Sequence, residues 1–335
     1  MLDSFFLVAI GVFLALVFDF GNGLNDAANA ISTVVATRVL SLRSAVLLSA
    51  FFNFAAAFFF SVAVATTIGK GLIHPEAVTT VIVLSGLIGS ILWVYASSFI
   101  GIPVSASHAL IGGFVGSALI GAGFNSLILS GIIPVFAFIF VAPILGAIGS
   151  FLFSSLVLKI VRNAPPGKVN NYFKKLQLIS VSVYSLGHGT NDAQKTMGLI
   201  SILLFSGGFL GSEFFVPWWV IIASYTTIAL GTIAGGWKVV KTMGTKITKL
   251  RPVNGFCAET SGAAVILGST FFGIPVSTTH VISGSIMGVG ISKRLSAVRW
   301  QIARNIVWAW ILTIPVTALI GAMSYLILNP LVNAL

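Results

Sequence analysis

The chain has 335 residues, of which 57% are hydrophobic and only 7% charged, where an average soluble domain is about 25% charged. Its apolar runs, each roughly 18 residues or longer, suit a hydrocarbon layer about 30 Å thick rather than a soluble core, so the reading is an all-α polytopic membrane protein. The net charge of +11 does not indicate nucleic acid, because no basic, aromatic-interleaved domain exists, and a single cysteine, Cys257, excludes an intramolecular disulfide or a cysteine cluster for metal.

The first apolar run, from Phe5 to Phe18, is preceded by Asp3 and no basic residue, and no A-x-A pattern follows it. It reads as a retained membrane helix and not as a signal peptide. Hydropathy gives six segments near 4–20, 25–40, 43–67, 76–100, 103–121 and 126–161. After the polar stretch "RNAPPGKVNNYFKK" come six more, near 176–188, 191–207, 215–236, 254–272, 275–291 and 297–328.

The two sets correspond. "GNGLNDAANA" at Gly21 matches "GHGTNDAQKT" at Gly187, an offset of 166, and "GIPVSASH" at Gly101 matches "GIPVSTTH" at Gly273, an offset of 172. Pro143 with Pro315 and Gly149 with Gly321 keep the second offset. The chain therefore reads as a duplicated unit: an N-terminal repeat over 1–161, a cytoplasmic linker over 162–175 and a C-terminal repeat over 176–335.

Lys and Arg favour cytoplasmic loops. With the linker inside, all 18 basic residues except Lys70 and Lys195 fall on the cytoplasmic side. That requires each half to cross an odd number of times. The halves are then inverted, both termini are extracytoplasmic, and discontinuous or re-entrant helices are expected at the midplane, as in secondary transporters.

Among the seven acidic residues, Asp26 and Asp192 are repeat-related, each preceded by Asn (Asn25, Asn191) and flanked by Gly. A carboxylate inside a membrane segment costs about 2.5–3.5 kcal/mol on the insertion scale, so a functional role is the default reading, with helix capping as the plainer one. An unwound Gly-Asn-Gly stretch would add carbonyl oxygens, and such oxygens suit small hard cations. Sodium is the natural candidate; protons would use the same carboxylates, and residue chemistry alone does not separate the two.

The GIPVS phrases read differently. Pro103 and Pro275 end a preceding helix, and the Ser/Thr residues after them open a new one, whose N-terminus carries about half a positive charge and free N–H groups. Two such ends from opposite halves would hold one anion between them, and a tetrahedral oxyanion fits best. Gly112 with Gly116 and Gly284 with Gly288 read as close helix packing. His108 and His280 read as hydrogen-bonding residues rather than metal ligands. His188 in place of Asn22, and Glu259 opposite Leu87, break the symmetry, with Glu259 open to tuning access or binding an extra cation. Trp218, Trp219, Trp237 and Trp300 read as interface anchors.

The paired motifs "GNGLNDAANA", "GHGTNDAQKTMG" and the two GIPVS-[AT]-[ST]-H phrases resemble the signatures of the inorganic phosphate transporter (PiT) family, from about residue 18 to about residue 325. The resemblance implies a multi-pass protein of the cell membrane, a sodium-coupled symporter of inorganic phosphate working by alternating access, a homodimer, and no enzyme activity or organic cofactor. It places phosphate at Ser105, Ala106, Ser107, Ser277, Thr278 and Thr279, and sodium at Asn22, Asn25, Asp26, Asn191 and Asp192. The alternatives keep the fold and change the cargo, as a proton-coupled phosphate transporter or a sulfate permease. An uncoupled anion channel and a membrane hydrolase using His108 and His280 are the more distant readings.

Overall fold

The computed structural model describes residues 2–59 and 61–334, with side chains from Phe5 onward, so the side chain of Asp3 lies outside the described set. Among the described residues there are twelve α-helices and no strands beyond one isolated bridge, Ile73 to Leu127. They are α1 (Leu2–Ala36), α2 (Leu42–Ala55), α3 (Ala63–Lys70), α4 (Thr80–Ile100), α5 (Ala106–Gly121), α6 (Leu129–Ile160), α7 (Pro166–Ser206), α8 (Trp218–Ala234), α9 (Trp237–Lys241), α10 (Pro252–Phe271), α11 (Thr278–Ile291) and α12 (Trp300–Asn333).

Among the described residues four helices, α1, α4, α6 and α12, are long and apolar enough to cross a membrane, and up to six spans result if each bent pair counts as one. On α6 the apolar side chains Ile133, Phe140, Ile144, Ile148, Leu152 and Leu156 recur at nearly every fourth position and are exposed. At 1.5 Å per residue this stripe is about 35 Å long, close to a hydrocarbon core of about 30 Å. Trp218, Trp219, Trp237 and Trp300 are exposed at the first turns of α8, α9 and α12.

Two expectations are corrected. The segments near 4–20 and 25–40 form one helix, as do those near 176–188 and 191–207, so the backbone is not unwound at Gly21–Asp26 or Gly187–Asp192. Asn25, Asp26, Asn191 and Asp192 lie inside helices and cap none, and no carbonyls are released there. The physical reason is lateral support: Gly23 packs on the Ile228 carbonyl and Gly189 on the Asn53 backbone, so these glycines admit neighbouring helices rather than break their own. Moreover α7 begins at Pro166, so most of the polar stretch 162–175 is its first turns.

The real breaks lie elsewhere. The segment near 43–67 divides into α2 and α3, and α8 turns by 67° into α9 and the π-helical turn Thr242–Lys246. Helix α4 stops at Gly101 (φ 85°), whose N–H bonds to Ser97 O, and the connection after α10 turns at Gly273 (φ 67°), so both prolines follow a left-handed glycine. Helices α5 and α11 then start afresh. With 16 and 14 residues they reach only about 24 and 21 Å, short of a full span.

The halves are interleaved. Helix α5 packs between α4 and α12, while α11 packs between α10 and α6, so each short helix lies against the last helix of the other half. The glycine stripes make this possible: Gly112 and Gly116 face the backbone of Ile314 and Ala318 on α12, and Gly284 and Gly288 face Pro143 and Ala147 on α6. Helices α1 and α7 run through both of the chain's apolar clusters, and Asp26 and Asp192 lie where the two clusters meet.

Candidate functional site

Helices α1 and α7 supply the ionisable groups, and the N-termini of α5 and α11 supply hydroxyls and N–H groups. Asp26 and Asp192 are both buried and share one neighbour, the Thr278 hydroxyl, which lies 3.1 Å from Asp26 Oδ2 and 3.1 Å from Asp192 Oδ2. Thr279 Oγ1 is 3.2 Å from Asp26 Oδ1 and donates to Val104 O at 3.1 Å. Asn29 donates to the Thr279 hydroxyl at 2.9 Å. Side chains from the two halves thus meet in one polar centre.

The helix ends are built as the sequence requires. Ser105 Oγ accepts from the His108 N–H at 3.1 Å, and Ser277 Oγ accepts from the His280 N–H at 3.3 Å. Each serine caps its own helix and keeps a hydroxyl proton to donate. The remaining N–H groups of the first turn, at Ala106 and Ser107 and at Thr278 and Thr279, have no intrahelical acceptor. The two ends are neighbours: the imidazole rings of His108 and His280 are 4.6 Å apart, and His280 also stacks on Trp310 at 3.9 Å.

Two nitrogen groups enter from α7. Lys195 is buried and uses all three ammonium protons, on Asp192 Oδ1 (2.5 Å), Val276 O (2.7 Å) and Ser107 Oγ. His188 is set by Asn53, whose Oδ1 lies 3.2 Å from Nδ1, and Asn53 itself donates to Thr232 at 2.9 Å. With Nδ1–H donating to that oxygen, Nε2 faces Asp192 Oδ2 at 3.2 Å and Asp26 Oδ2 at 3.9 Å. Ligand atoms of Asp26, His188 and Asp192 all lie within 4.8 Å of one another. A nitrogen lone pair between two carboxylates is stable only with positive charge there, as a proton or a cation.

The donor set is rich in oxygen, as a hard cation requires. The amide oxygens of Asn22, Asn25, Asn29 and Asn191 are buried and make no hydrogen bond among the described residues. Buried acceptors left without donors are costly, and oxygens of this kind suit a hard cation. Of the residues expected at cation sites, Asp26 and Asp192 lie together, Asn25 reaches Val104 O at 3.5 Å, and Asn191 is held by Thr270 at 2.8 Å.

Asn29, Tyr184 and Asp19 were missed in the sequence, whereas Lys195 and Glu259 stood out there without a settled role. Asn29 and Lys195 stand three residues past the repeat-related Asp, one helical turn on, and that spacing was the signal available. Tyr184 donates to Thr278 O at 3.2 Å, and Asp19, also buried, accepts from Thr196 at 2.8 Å. Glu259 sits two turns from the centre along α1, accepting from Thr33 (2.6 Å), Gln177 (2.8 Å) and Ser180 (2.5 Å). Its repeat partner Leu87 lies in an apolar cluster.

Carboxylates and free amide oxygens beside two helix N-termini, all enclosed by membrane-length helices, are the anatomy of a membrane transporter. Comparison with known proteins names the family: the model described as "Phosphate transporter family" matches residues 22–321. A "Probable low-affinity inorganic phosphate transporter" of Rhizobium meliloti (strain 1021) is 52% identical over 93% of this chain and 93% of its own. One of the same description from Bacillus subtilis (strain 168) is 42% identical over 96% and 97%. A solved structure titled "The sodium-dependent phosphate transporter" superposes with a TM-score of 0.87 at 26% identity, over 96% of this chain and 99% of that one. The chain belongs to the phosphate transporter family.

Proposed function

We propose that the protein is a secondary active symporter that carries inorganic phosphate inward with sodium by alternating access between two inverted halves. Both termini lie outside, the segment 162–175 faces the cytoplasm, and two copies form a homodimer. Phosphate docks on the ends of α5 and α11, at Ser105, Ala106, Ser107, Ser277, Thr278 and Thr279. Sodium is held by Asp26 and Asp192 with Asn22, Asn25 and Asn191. The printed name of the structural neighbour supports sodium as the coupling ion.

One observation carries this reading: Thr278 stands at the head of α11 with its hydroxyl 3.1 Å from each of the two carboxylates. Positive charge placed on the carboxylates removes the repulsion an anion would meet at that helix end. Binding of the cation and of the anion therefore favour each other, and the coupling is reciprocal.

The test is uptake of radiolabelled phosphate into proteoliposomes under an imposed sodium gradient, and separately under a proton gradient. Sodium-driven accumulation that disappears in Asp26→Asn supports the reading. Accumulation driven only by protons would keep the cargo and reject sodium, and movement of sulfate in place of phosphate would reject the cargo.

A further inference from the structure

Resting on the reading of the carboxylates as cation ligands, we infer that the Lys195 ammonium is a built-in cation: it fills in the second half the position that an exchangeable cation takes in the first. The four residues that define this position are related by the repeat. Asp192 corresponds to Asp26 and Lys195 to Asn29 at an offset of 166, while Val276 corresponds to Val104 and Ser107 is the counterpart of Thr279 at 172.

The chemistry matches position by position. Around Lys195 Nζ stand a carboxylate oxygen, Asp192 Oδ1, a backbone carbonyl, Val276 O, and a hydroxyl from the other half, Ser107 Oγ. Around the first half's carboxylate the same three oxygen types recur: Asp26 Oδ1, Val104 O and, from the other half, Thr279 Oγ1. Here the hydroxyl lies 3.2 Å from the carboxylate and 3.1 Å from the carbonyl. A carboxylate, a carbonyl and a hydroxyl form a set for a hard cation. On the first side the residue one turn after the Asp is Asn29, which keeps its Oδ1 without a donor. On the second side it is a lysine.

An ammonium group and a sodium ion carry the same charge, and both are satisfied by oxygens. The lysine is covalently attached and cannot travel. It neutralises Asp192 without leaving, which narrows the sodium set given above: of the two carboxylates, Asp26 is the one that requires a cation that comes and goes with the substrate. One tethered charge removes one cation from the transported set.

Equilibrium dialysis of the purified full-length protein against ²²Na⁺, at saturating inorganic phosphate, counts this directly and does not depend on turnover. Lys195→Asn, which copies the first half, binds one more sodium per chain than wild type. Lys195→Ala, which leaves the three oxygens in place, gains the same one. If neither variant purifies as a folded, monodisperse protein, Asn29→Lys supplies the reverse arithmetic and binds one fewer than wild type. Equal counts in wild type and in folded Lys195 variants overturn the proposal, and so does loss of phosphate binding in those variants without any gain of sodium. Wild type binding none while Lys195→Asn binds one would end the sodium-coupled reading and keep the tethered cation. Wild type and Lys195→Asn each binding one would do the opposite.

Discussion

His108 and His280, 172 positions apart in the chain, stand edge to face with their rings 4.6 Å apart and buried. Each is the third residue of its helix, so the contact brings the first turns of α5 and α11 into register across the centre of the molecule. The hydroxyls that follow the same caps then cross over: Ser107 donates to Val276 O at 3.4 Å and Thr279 to Val104 O at 3.1 Å.

Thr278 is the link between the carboxylates and the helix end. Hydrogen bonds to charged groups contribute about 1.5–3 kcal/mol, so under the proposed sodium coupling Thr278→Val is expected to raise the sodium concentration for half-maximal phosphate uptake by roughly ten-fold or more. Thr278→Ser keeps the hydroxyl and stays close to wild type. Sodium titrations of initial uptake rate in proteoliposomes compare the two.

Asp192 and Lys195 form a fully buried pair. Removing one partner of such a pair costs about 3–5 kcal/mol, because the other charge is left without compensation. Thermal unfolding in detergent therefore shows a large loss of stability in Asp192→Asn. The double change Asp192→Asn with Lys195→Met restores much of it. A double variant as unstable as the single one would contradict a charge-balance origin.

Glu259 receives three donors, from Thr33, Gln177 and Ser180. Glu259→Leu copies the residue at the repeat-related position but strands those donors in a dry interior, at a cost of about 1–3 kcal/mol for each one that finds no new partner. The expected result is a markedly lower unfolding temperature. Leu87→Glu in the first half, where an apolar cluster offers no such set, destabilises as well.

The glycine stripes make a steric prediction. A side chain at Gly284 would meet the Pro143 backbone, with Cα at 2.7 Å, whereas Gly268 has nothing within 4 Å. Gly284→Val abolishes a monodisperse peak in fluorescence-detected gel filtration, and Gly268→Val leaves it intact. Gly112→Val, which meets Ile314 O at 2.7 Å, behaves like Gly284→Val.

Much of this was legible in the sequence because the chain is written twice. The paired Asp residues, the capped helix starts after Pro103 and Pro275, and the glycine packing all follow from local chemistry repeated at fixed offsets. The continuity of α1 and α7 was hidden. Gly, Asn and Asp favour breaks in isolated chain, and only the lateral contacts of Gly23 with Ile228 and Gly189 with Asn53, long-range by nature, show why the helices continue. The three oxygens around Lys195 were hidden for a related reason, since two of them come from Ser107 and Val276, far away in sequence.

The unbroken course of α1 and α7 limits how such a molecule can work. Asp26 and Asp192 sit inside continuous helices of 35 and 41 residues, held by intact backbone on both sides. On the alternating access proposed above, the centre would open by tilting these long helices or by withdrawing the short helices α5 and α11 end-on. Amide exchange is accordingly expected to be slow around Asp26 and Asp192 and faster in the connections 101–105 and 272–277, where the backbone lies outside any helix.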